Sequence, residues 1–161
     1  MKDINRIIPF LLEANKAGYA NDKPQIEKQT NGTHRIVYEQ DDFRFEDLRW
    51  GGNPFSGQES IAIGGRVMWA MQYRGWMESG FEAQSNEVFQ FLRRALKHCT
   101  VDDPLRGPKE LKEDKLLYLN SWSANLNNFH GEERILKEDQ HVYSCKYFGG
   151  VVDEGVSGAM I

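Results

Sequence analysis

Two glutamates, Glu59 and Glu133, have the sequence setting that most suggests chemistry. Each ends a Phe-x-Gly-x-Glu segment, at residues 55–59 and 129–133. Because side chains alternate between the faces of a strand, each Glu shares a face with its Phe. A carboxylate among apolar neighbours must find donors or lose its charge, since burying an unpaired charge is costly. Two carboxylates in an aromatic setting therefore suit a cationic or hydroxylated ligand.

Aromatic residues on the following predicted strands fall on the same face, and Val67 and His141 share it by the same alternation. The predicted ligand-binding set is Glu59, Glu133, Trp69, Tyr73, Tyr143 and Tyr147. The alternative is structural: each Glu accepts hydrogen bonds from loop amides or from Trp and Tyr side chains and holds its turn in place. Arg106, in an Arg-Gly-Pro loop, is a candidate partner for one Glu, although an ordinary surface turn is the simpler prediction.

Other chemistries have less support. Acid–base catalysis needs two carboxylates in different environments, and these two have similar ones. The set of metal-ligating residue types comprises His130, Glu132, Glu133 and His141. Their spacing fits no standard site, and strand alternation divides them between faces. Cys99 adjoins His98, but neighbouring side chains at a helix end point apart. We therefore predict no catalytic residue, no metal site and no cofactor.

Hydrophobic periodicity predicts two helices that would cover these residues. The first spans about residues 4–17, with Asp3 as its N-cap and Gly18 as its stop. Pro9 predicts a kink in this helix or a start near that residue. The second helix spans about residues 87–97. Its predicted N-cap is Ser85 or Asn86, and its predicted buried face comprises Val88, Phe89, Phe91, Leu92, Ala95 and Leu96.

Alternating apolar residues predict the strands that carry the candidate site. After a polar loop at 21–34, strands are expected from His34 to Glu46, with a turn at 40–42, and a bulge is expected near Asp47. Later strands are expected near 57–63, 66–74, 115–122, 131–137 and 141–148. Gly64-Gly65 is a favoured hairpin turn. The tail, 153–161, is expected to fray.

The sequence contains an internal match. Residues 55–75 and 129–149 align without a gap and share Phe, Gly, Glu, Ile, Tyr and Gly at equivalent places. Residues 10–16 match 91–97 in the same way. We predict one α+β domain over residues 1–161, built from two diverged helix-plus-antiparallel-strand repeats, about 3–80 and 85–150. The repeats would form a curved antiparallel sheet with two helices on one face. The alternative, general similarity of hairpins, explains the glycines but not the shared Glu.

Composition limits the class of protein. The chain has 161 residues, 40% hydrophobic and 12% aromatic, which provides enough core for one domain. A net charge of −4 argues against nucleic-acid binding, which needs clustered Lys and Arg. The two cysteines fit no disulfide framework, and no apolar stretch approaches the ~20 residues of a membrane span. Asn5, Arg6 and Pro9 interrupt the apolar N-terminal segment, so we expect no signal peptide and a cytoplasmic protein.

Several segments resemble a bacterial family of unknown function that is also found C-terminal to helix-turn-helix (XRE-type) transcriptional regulators. They are Phe10-Leu11-Leu12-x-Ala14-x-Lys16, the two Phe-x-Gly-x-Glu segments, Trp69-x-Met71-x-Tyr73-x-Gly75, Arg106-Gly107-Pro108 and Tyr147-x-Gly149-Gly150. The resemblance implies a sensor or dimerisation unit that can accompany a DNA-binding module. The predicted elements leave no room for a helix-turn-helix, so we expect this chain to act alone or with a partner. The architecture also looks like the duplicated effector-binding domains of drug-sensing regulators.

Three functions follow as hypotheses. The first is an effector-type domain that binds a small cationic or polar ligand without catalysis. The second is a protein-interaction or dimerisation domain that acts with a transcription regulator, as a homodimer or with a helix-turn-helix partner. In that case Trp50, Trp76 and Phe148 would mark the contact. The third is an enzyme that uses the same aromatic and acidic cavity.

Overall fold

The computed structural model describes residues 4–21, 23–123 and 125–152, which form an α+β fold. In those residues the helices are α1 (Ile4–Ala17) and α2 (Ser85–Leu96). The strands are β1 (Glu27–Lys28), β2 (His34–Gln40), β3 (Phe43–Gly51), β4 (Phe55–Ile63), β5 (Arg66–Met77), β6 (Glu110–Glu113), β7 (Leu116–Trp122), β8 (Asn128–Lys137) and β9 (Gln140–Val151). None of the described helices is long and apolar enough to span a membrane.

The helices largely follow the predicted periodicity. Helix α1 has the predicted bounds and contains Pro9, while the N–H of Gly18 closes its last turn on Ala14 O at 2.8 Å. The predicted caps of α2 are wrong. A 3₁₀ turn, Glu82–Gln84, leads directly into the helix, so Gln84 is the N-cap and Ser85 already lies in the first turn. Phe89 is half-buried rather than buried, and the predicted cap Asp3 lies outside the described residues.

All nine strands form one open antiparallel sheet in the order β1-β2-β3-β4-β5-β9-β8-β7-β6. The central pair, β5 and β9, runs from Trp69 opposite Val151 to Met77 opposite Tyr143. The strands before this pair in sequence lie on one side of it and β6, β7 and β8 lie on the other. As a result, β4 and β8, which carry the two glutamates, each lie one strand from the centre.

The bulge expected near Asp47 is wrong, because β3 pairs in regular register with both β2 and β4. The register shifts instead between Ile61 and Ala62 and between Ile135 and Leu136. Each shift reverses the side-chain alternation beyond it. Val67 and His141 therefore face outward, against prediction, and Val67 is 48% exposed. Two short edge strands, β1 and β6, were not predicted.

The core lies between the inward face of the sheet and the two helices. Buried side chains of both helices join one cluster with the odd-numbered residues of β4, β5, β8 and β9. Trp69 and Tyr143, both fully buried, lie at its centre. The outward face retains large exposed side chains, with Phe148 at 59% and Trp50 at 42% exposure.

Candidate functional site

Glu133 lies on β8, opposite Asn120 on β7, and is fully buried. Its Oε1 accepts a hydrogen bond from the Tyr118 hydroxyl at 2.7 Å, and its Oε2 accepts one from Arg106 Nη2 at 3.1 Å. Both carboxylate oxygens therefore have protein donors. These contacts fit the structural hypothesis, in which the Glu accepts hydrogen bonds that hold its turn in place. The donors are a tyrosine hydroxyl and an arginine.

Arg106 comes from the loop between α2 and β6, and the surface turn predicted there is wrong. Its side chain is only 9% exposed and lies between the two glutamates, with Nη1 3.8 Å from Glu59 Oε1. Its guanidinium lies 5.3 Å from the centre of the Tyr73 ring. The backbone of the same loop is held by β7, because Asn120 Nδ2 donates to the carbonyls of Leu105 and Gly107 at 3.0 and 2.9 Å.

Glu59 lies on β4, opposite Asp47 on β3, and is 7% exposed. In the described part of the chain, no donor makes a hydrogen bond to its carboxylate, and Arg106 at 3.8 Å is its ion-pair partner. Asp47 is 8% exposed and accepts a hydrogen bond of 2.6 Å from the Tyr73 hydroxyl. Arg106 therefore lies within ion-pair distance of both glutamates, and its charge also acts on Asp47.

The two glutamates occupy equivalent places in the register of their strands. The equivalent residues are Asp47 and Asn120, Glu59 and Glu133, and Tyr73 and Tyr147. Tyr147 donates to Asn120 Oδ1 at 2.6 Å, as Tyr73 does to Asp47. The two halves differ opposite the Ile that lies two residues after each Glu: Tyr118 pairs with Ile135, whereas Phe45 pairs with Ile61. Phe45 has no hydroxyl, so Glu59 lacks the donor that Glu133 receives.

The glycine of each Phe-x-Gly-x-Glu segment makes room for the tyrosine of the next strand. A Cβ at Gly57 would lie 2.3 Å from Tyr73 Oη, and one at Gly131 would lie 2.4 Å from Tyr147 Cζ. Real Cβ atoms do not approach that closely, so only glycine lets each ring cross its neighbouring strand. The motif therefore positions a tyrosine hydroxyl on Asp47 or on Asn120.

A cavity of about 50 Å³ lies beside Glu59, and residues of α1, α2 and the sheet line it. Of the predicted ligand-binding set, Glu59 and Tyr73 line it together with Asp47 and Arg106. Its apolar walls include Leu11, Phe45, Phe55, Met71, Phe89 and Leu92. The other predicted residues, Glu133, Trp69, Tyr143 and Tyr147, are packed in the core instead. Trp69, for example, stacks on Phe129 with ring centres 5.5 Å apart.

A family model for a domain of unknown function, DUF5680, matches residues 47–152. The chain belongs to the DUF5680 family. The match begins at Asp47 and includes Glu59, Arg106 and Glu133, so the buried polar cluster lies within the family segment. No curated protein and no solved structure matches the chain. The expected resemblance to a family of unknown function is confirmed, and the association with helix-turn-helix regulators stays a prediction.

Burial sets the electrostatics of this DUF5680 site. Burial, together with the neighbouring Asp47 carboxylate, raises the pKa of Glu59 to about 8, although Arg106 opposes the shift. Burial also raises the pKa of Asp47, against the hydrogen bond from Tyr73. The pKa of Tyr73 lies well above its ordinary value, first because of burial and then because of both carboxylates. A pKa of about 8 leaves Glu59 mostly protonated at neutral pH, and a further positive charge beside it would favour the ionised form.

The remaining candidates from the sequence lie apart from this cavity. His130 is exposed on the outward face, while Glu133 is buried on the inward one. In the residues that the structure describes, no three His, Cys, Asp or Glu side chains are grouped to hold a metal ion. Burial raises the pKa of the Cys99 thiol, and burial with the nearby Glu133 raises the pKa of Cys145 to about 12. Both thiols are therefore protonated at neutral pH.

Sequence reasoning missed Asp47, Tyr118 and Asn120. A signal for them was present, because a ring-x-Asx pattern, Phe45-x-Asp47 and Tyr118-x-Asn120, precedes each Phe-x-Gly-x-Glu segment. The bulge predicted near Asp47 obscured this pattern, because it placed Asp47 outside the regular alternation of the strand. Read in regular register, the pattern would have placed Asp47 beside Glu59.

Proposed function

We propose that this DUF5680 domain is an effector-type binding domain that holds a small cationic or polar ligand beside Glu59 without catalysis. One observation carries the proposal. Glu59 is 7% exposed, faces a cavity and receives no hydrogen bond from the described residues, whereas both oxygens of the equivalent Glu133 are occupied. Buried polar groups nearly always make hydrogen bonds, so a carboxyl group in a cavity that has only a distant ion-pair contact suggests a missing ligand.

The surroundings of Glu133 indicate what Glu59 can accept. Glu133 binds the guanidinium of Arg106 and the hydroxyl of Tyr118. A ligand with a cationic or hydroxyl donor would supply to Glu59 the same kind of contact. The aromatic walls, Phe45, Phe55 and Phe89, favour a cation further, because aromatic faces attract positive charge.

We also infer that the chain is a single domain made of two diverged repeats, about 3–80 and 85–150. In support, the register shift follows Ile61 in one hairpin and Ile135 in the other, and the tyrosine–Asx hydrogen bond occurs in both. On this view one copy retains an open carboxyl group and the other closes it with the Arg106 loop. Binding and fold maintenance are then divided between two copies of one polar cluster.

Native mass spectrometry on protein purified gently from its host tests the binding proposal. We expect a reproducible small-molecule adduct on the wild-type chain and its loss in Glu59→Gln. Glu132→Gln is the matched control, because Glu132 lies on the outward face and pairs with Arg134. A folded Glu59→Gln variant that keeps the adduct would contradict the proposal. Recovery of a chemically altered ligand would favour the enzyme alternative.

A second candidate, an interaction or dimerisation domain, is favoured by the outward face of the sheet. Phe148 lies on the central strand β9 and is 59% exposed, and Trp50 on β3 is 42% exposed, whereas Trp76 is half-buried. Large exposed aromatic side chains are typical of protein contacts. The partner would be a second copy or a helix-turn-helix protein.

Sedimentation tests self-association with a second copy. We expect a dimer that Phe148→Ser converts to monomer, and a wild-type monomer at high concentration would contradict self-association.

A further inference from the structure

The cavity beside Glu59 carries opposite charges along one strand. Asp47 and Arg49 both point into it from β3. Two residues apart on one face of a strand, they lie roughly 6.6 Å from each other, because each residue advances the strand by about 3.3 Å. Asp47 and Glu59 place two carboxyl groups at one end, beside the guanidinium of Arg106, and Arg49 makes the adjoining wall basic.

Arg49 keeps its charge free for a ligand. Its Nη2 lies 2.8 Å from His34 Nδ1. Burial and the charge of Arg49 lower the pKa of His34, so the imidazole is neutral and its Nδ1 accepts this hydrogen bond. Among the described residues, no carboxylate lies within salt-bridge distance of Arg49, although Asp47 is two positions away. A neutral histidine thus orients a guanidinium without neutralising it.

A second arginine, Arg93, contacts the same aromatic ring as Arg49. The Tyr19 ring, which also lines the cavity, has the guanidinium of Arg49 at 5.9 Å and that of Arg93 at 5.1 Å from its centre. The Nε of Arg93 is buried and has no hydrogen-bond partner in the described part of the chain. Two cations on one aromatic ring repel each other, and an anionic group between them would relieve that repulsion.

We propose that the ligand is a small zwitterion of the amino-acid type, with its ammonium group at Asp47 and Glu59 and its carboxylate at Arg49. The inference rests on the proposed function and specifies its ligand class. A simple amine leaves Arg49 without a counter-charge, and a simple carboxylate would face Asp47. A zwitterion complements both ends. The cavity volume of about 50 Å³ suits a ligand of few heavy atoms, since one water needs about 10–15 Å³.

Isothermal titration calorimetry on the full chain with matched probes tests this class. The zwitterions are glycine, β-alanine, 4-aminobutyrate and L-leucine. Each is compared with the amine that lacks its carboxylate and the acid that lacks its amine, such as ethylamine and propionate for β-alanine. We expect at least one zwitterion to bind about tenfold or more tightly than both of its analogues, because a charge-assisted contact to arginine is added to the contact at the ammonium.

Variants test which residue binds the ammonium group of the ligand and which binds its carboxylate. Arg49→Gln should reduce the affinity for that zwitterion to the level of its amine, and Glu59→Gln should weaken zwitterion and amine alike. Arg74→Gln, on the outward face of β5, is the matched control and should change neither. Amines that bind as tightly as zwitterions would overturn the zwitterion inference and leave the proposed function intact. Failure of every zwitterion to bind would also overturn it, and the native mass spectrum then decides the proposed function separately.

Discussion

At the scale of single residues, Glu59 and Glu133 differ in their donors rather than in their position. Tyr118 and Arg106 hold the carboxylate of Glu133, while Phe45 offers nothing to Glu59. A tyrosine hydroxyl and a hydrogen bond from Arg106 therefore distinguish the carboxylate of Glu133 from that of Glu59. The sequence predicted the equivalence of the two glutamates but not this difference, because it depends on which side chains lie across from each strand.

Removing each carboxylate should have a different effect on stability. Glu133→Gln leaves Arg106 buried without its closest counter-charge, and breaking a buried pair costs about 3–5 kcal/mol. Glu59→Gln resembles the protonated Glu59 of the native state, so the free energy of unfolding should change by less than about 1 kcal/mol. Urea denaturation at pH 7 measures both. Equal losses would show that both glutamates support the fold.

The raised pKa of Glu59 predicts how stability depends on pH. Between its ordinary value of 4.5 and about 8, the folded state holds a proton that the unfolded state has lost. Stability is then greatest below the lower value and falls as the pH rises through this window. Asp47, whose pKa is also raised, acts in the same direction. We expect the urea midpoint to fall between pH 5 and pH 8, and Glu59→Gln to reduce that fall. A midpoint that rises over this range would contradict the assignment.

At the scale of elements, a loop and two hairpins hold the site. Sequence periodicity predicted both helices and the long strands, because each carries a buried face with a clear spacing. It missed β1 and β6, which have two and four residues and too little length for a period. It also misplaced Arg106, since its partners Glu59 and Glu133 are distant in sequence and only the fold brings them to the loop.

The loop that carries Arg106 depends on close contact at Gly107. A Cβ there would lie 2.8 Å from Tyr118 Oη, and the Gly107 N–H donates to that oxygen at 3.0 Å. Gly107→Ala should displace Tyr118 from Glu133 and destabilise the fold by about 1–3 kcal/mol. Gly52→Ala is the matched control, because a Cβ at Gly52 would meet nothing within 4 Å. Thermal unfolding compares the two, and equal midpoints would contradict a packed loop.

The difference between the halves can be reversed at Phe45. Phe45→Tyr would put a hydroxyl near Glu59 at the position from which Tyr118 reaches Glu133. We expect this variant to remain folded and to lose the small-molecule adduct, because the added donor occupies the carboxyl group. Phe43→Tyr, two residues earlier in β3 and half-buried against Phe10, provides the control. Full retention of the adduct in Phe45→Tyr would mean that Glu59 is not where the ligand binds.

At the scale of the whole molecule, the two halves of the sheet carry equivalent polar clusters with different surroundings. The cluster that contains Glu133, Tyr147 and Asn120 is packed against Arg106. The equivalent cluster of Glu59, Tyr73 and Asp47 borders the cavity that α1 and α2 also line. The sequence predicted the order of elements and the inward face, because both follow from local alternation. It did not predict that only one cluster borders a cavity, since that depends on the hydroxyl group that Phe45 lacks and on the path of the Arg106 loop.

The most direct measurement is the titration of the Glu59 carboxyl carbon by ¹³C NMR, assigned with Glu59→Gln. We expect this carbon to titrate near pH 8 in the free protein and the carboxyl group to be ionised at pH 7 when a cationic group binds beside it. Titration near the ordinary value of 4.5 in the free protein would show that Glu59 already has its donors. In that case Glu59 would be a second structural carboxylate, and the proposal that a ligand binds in the cavity would be contradicted.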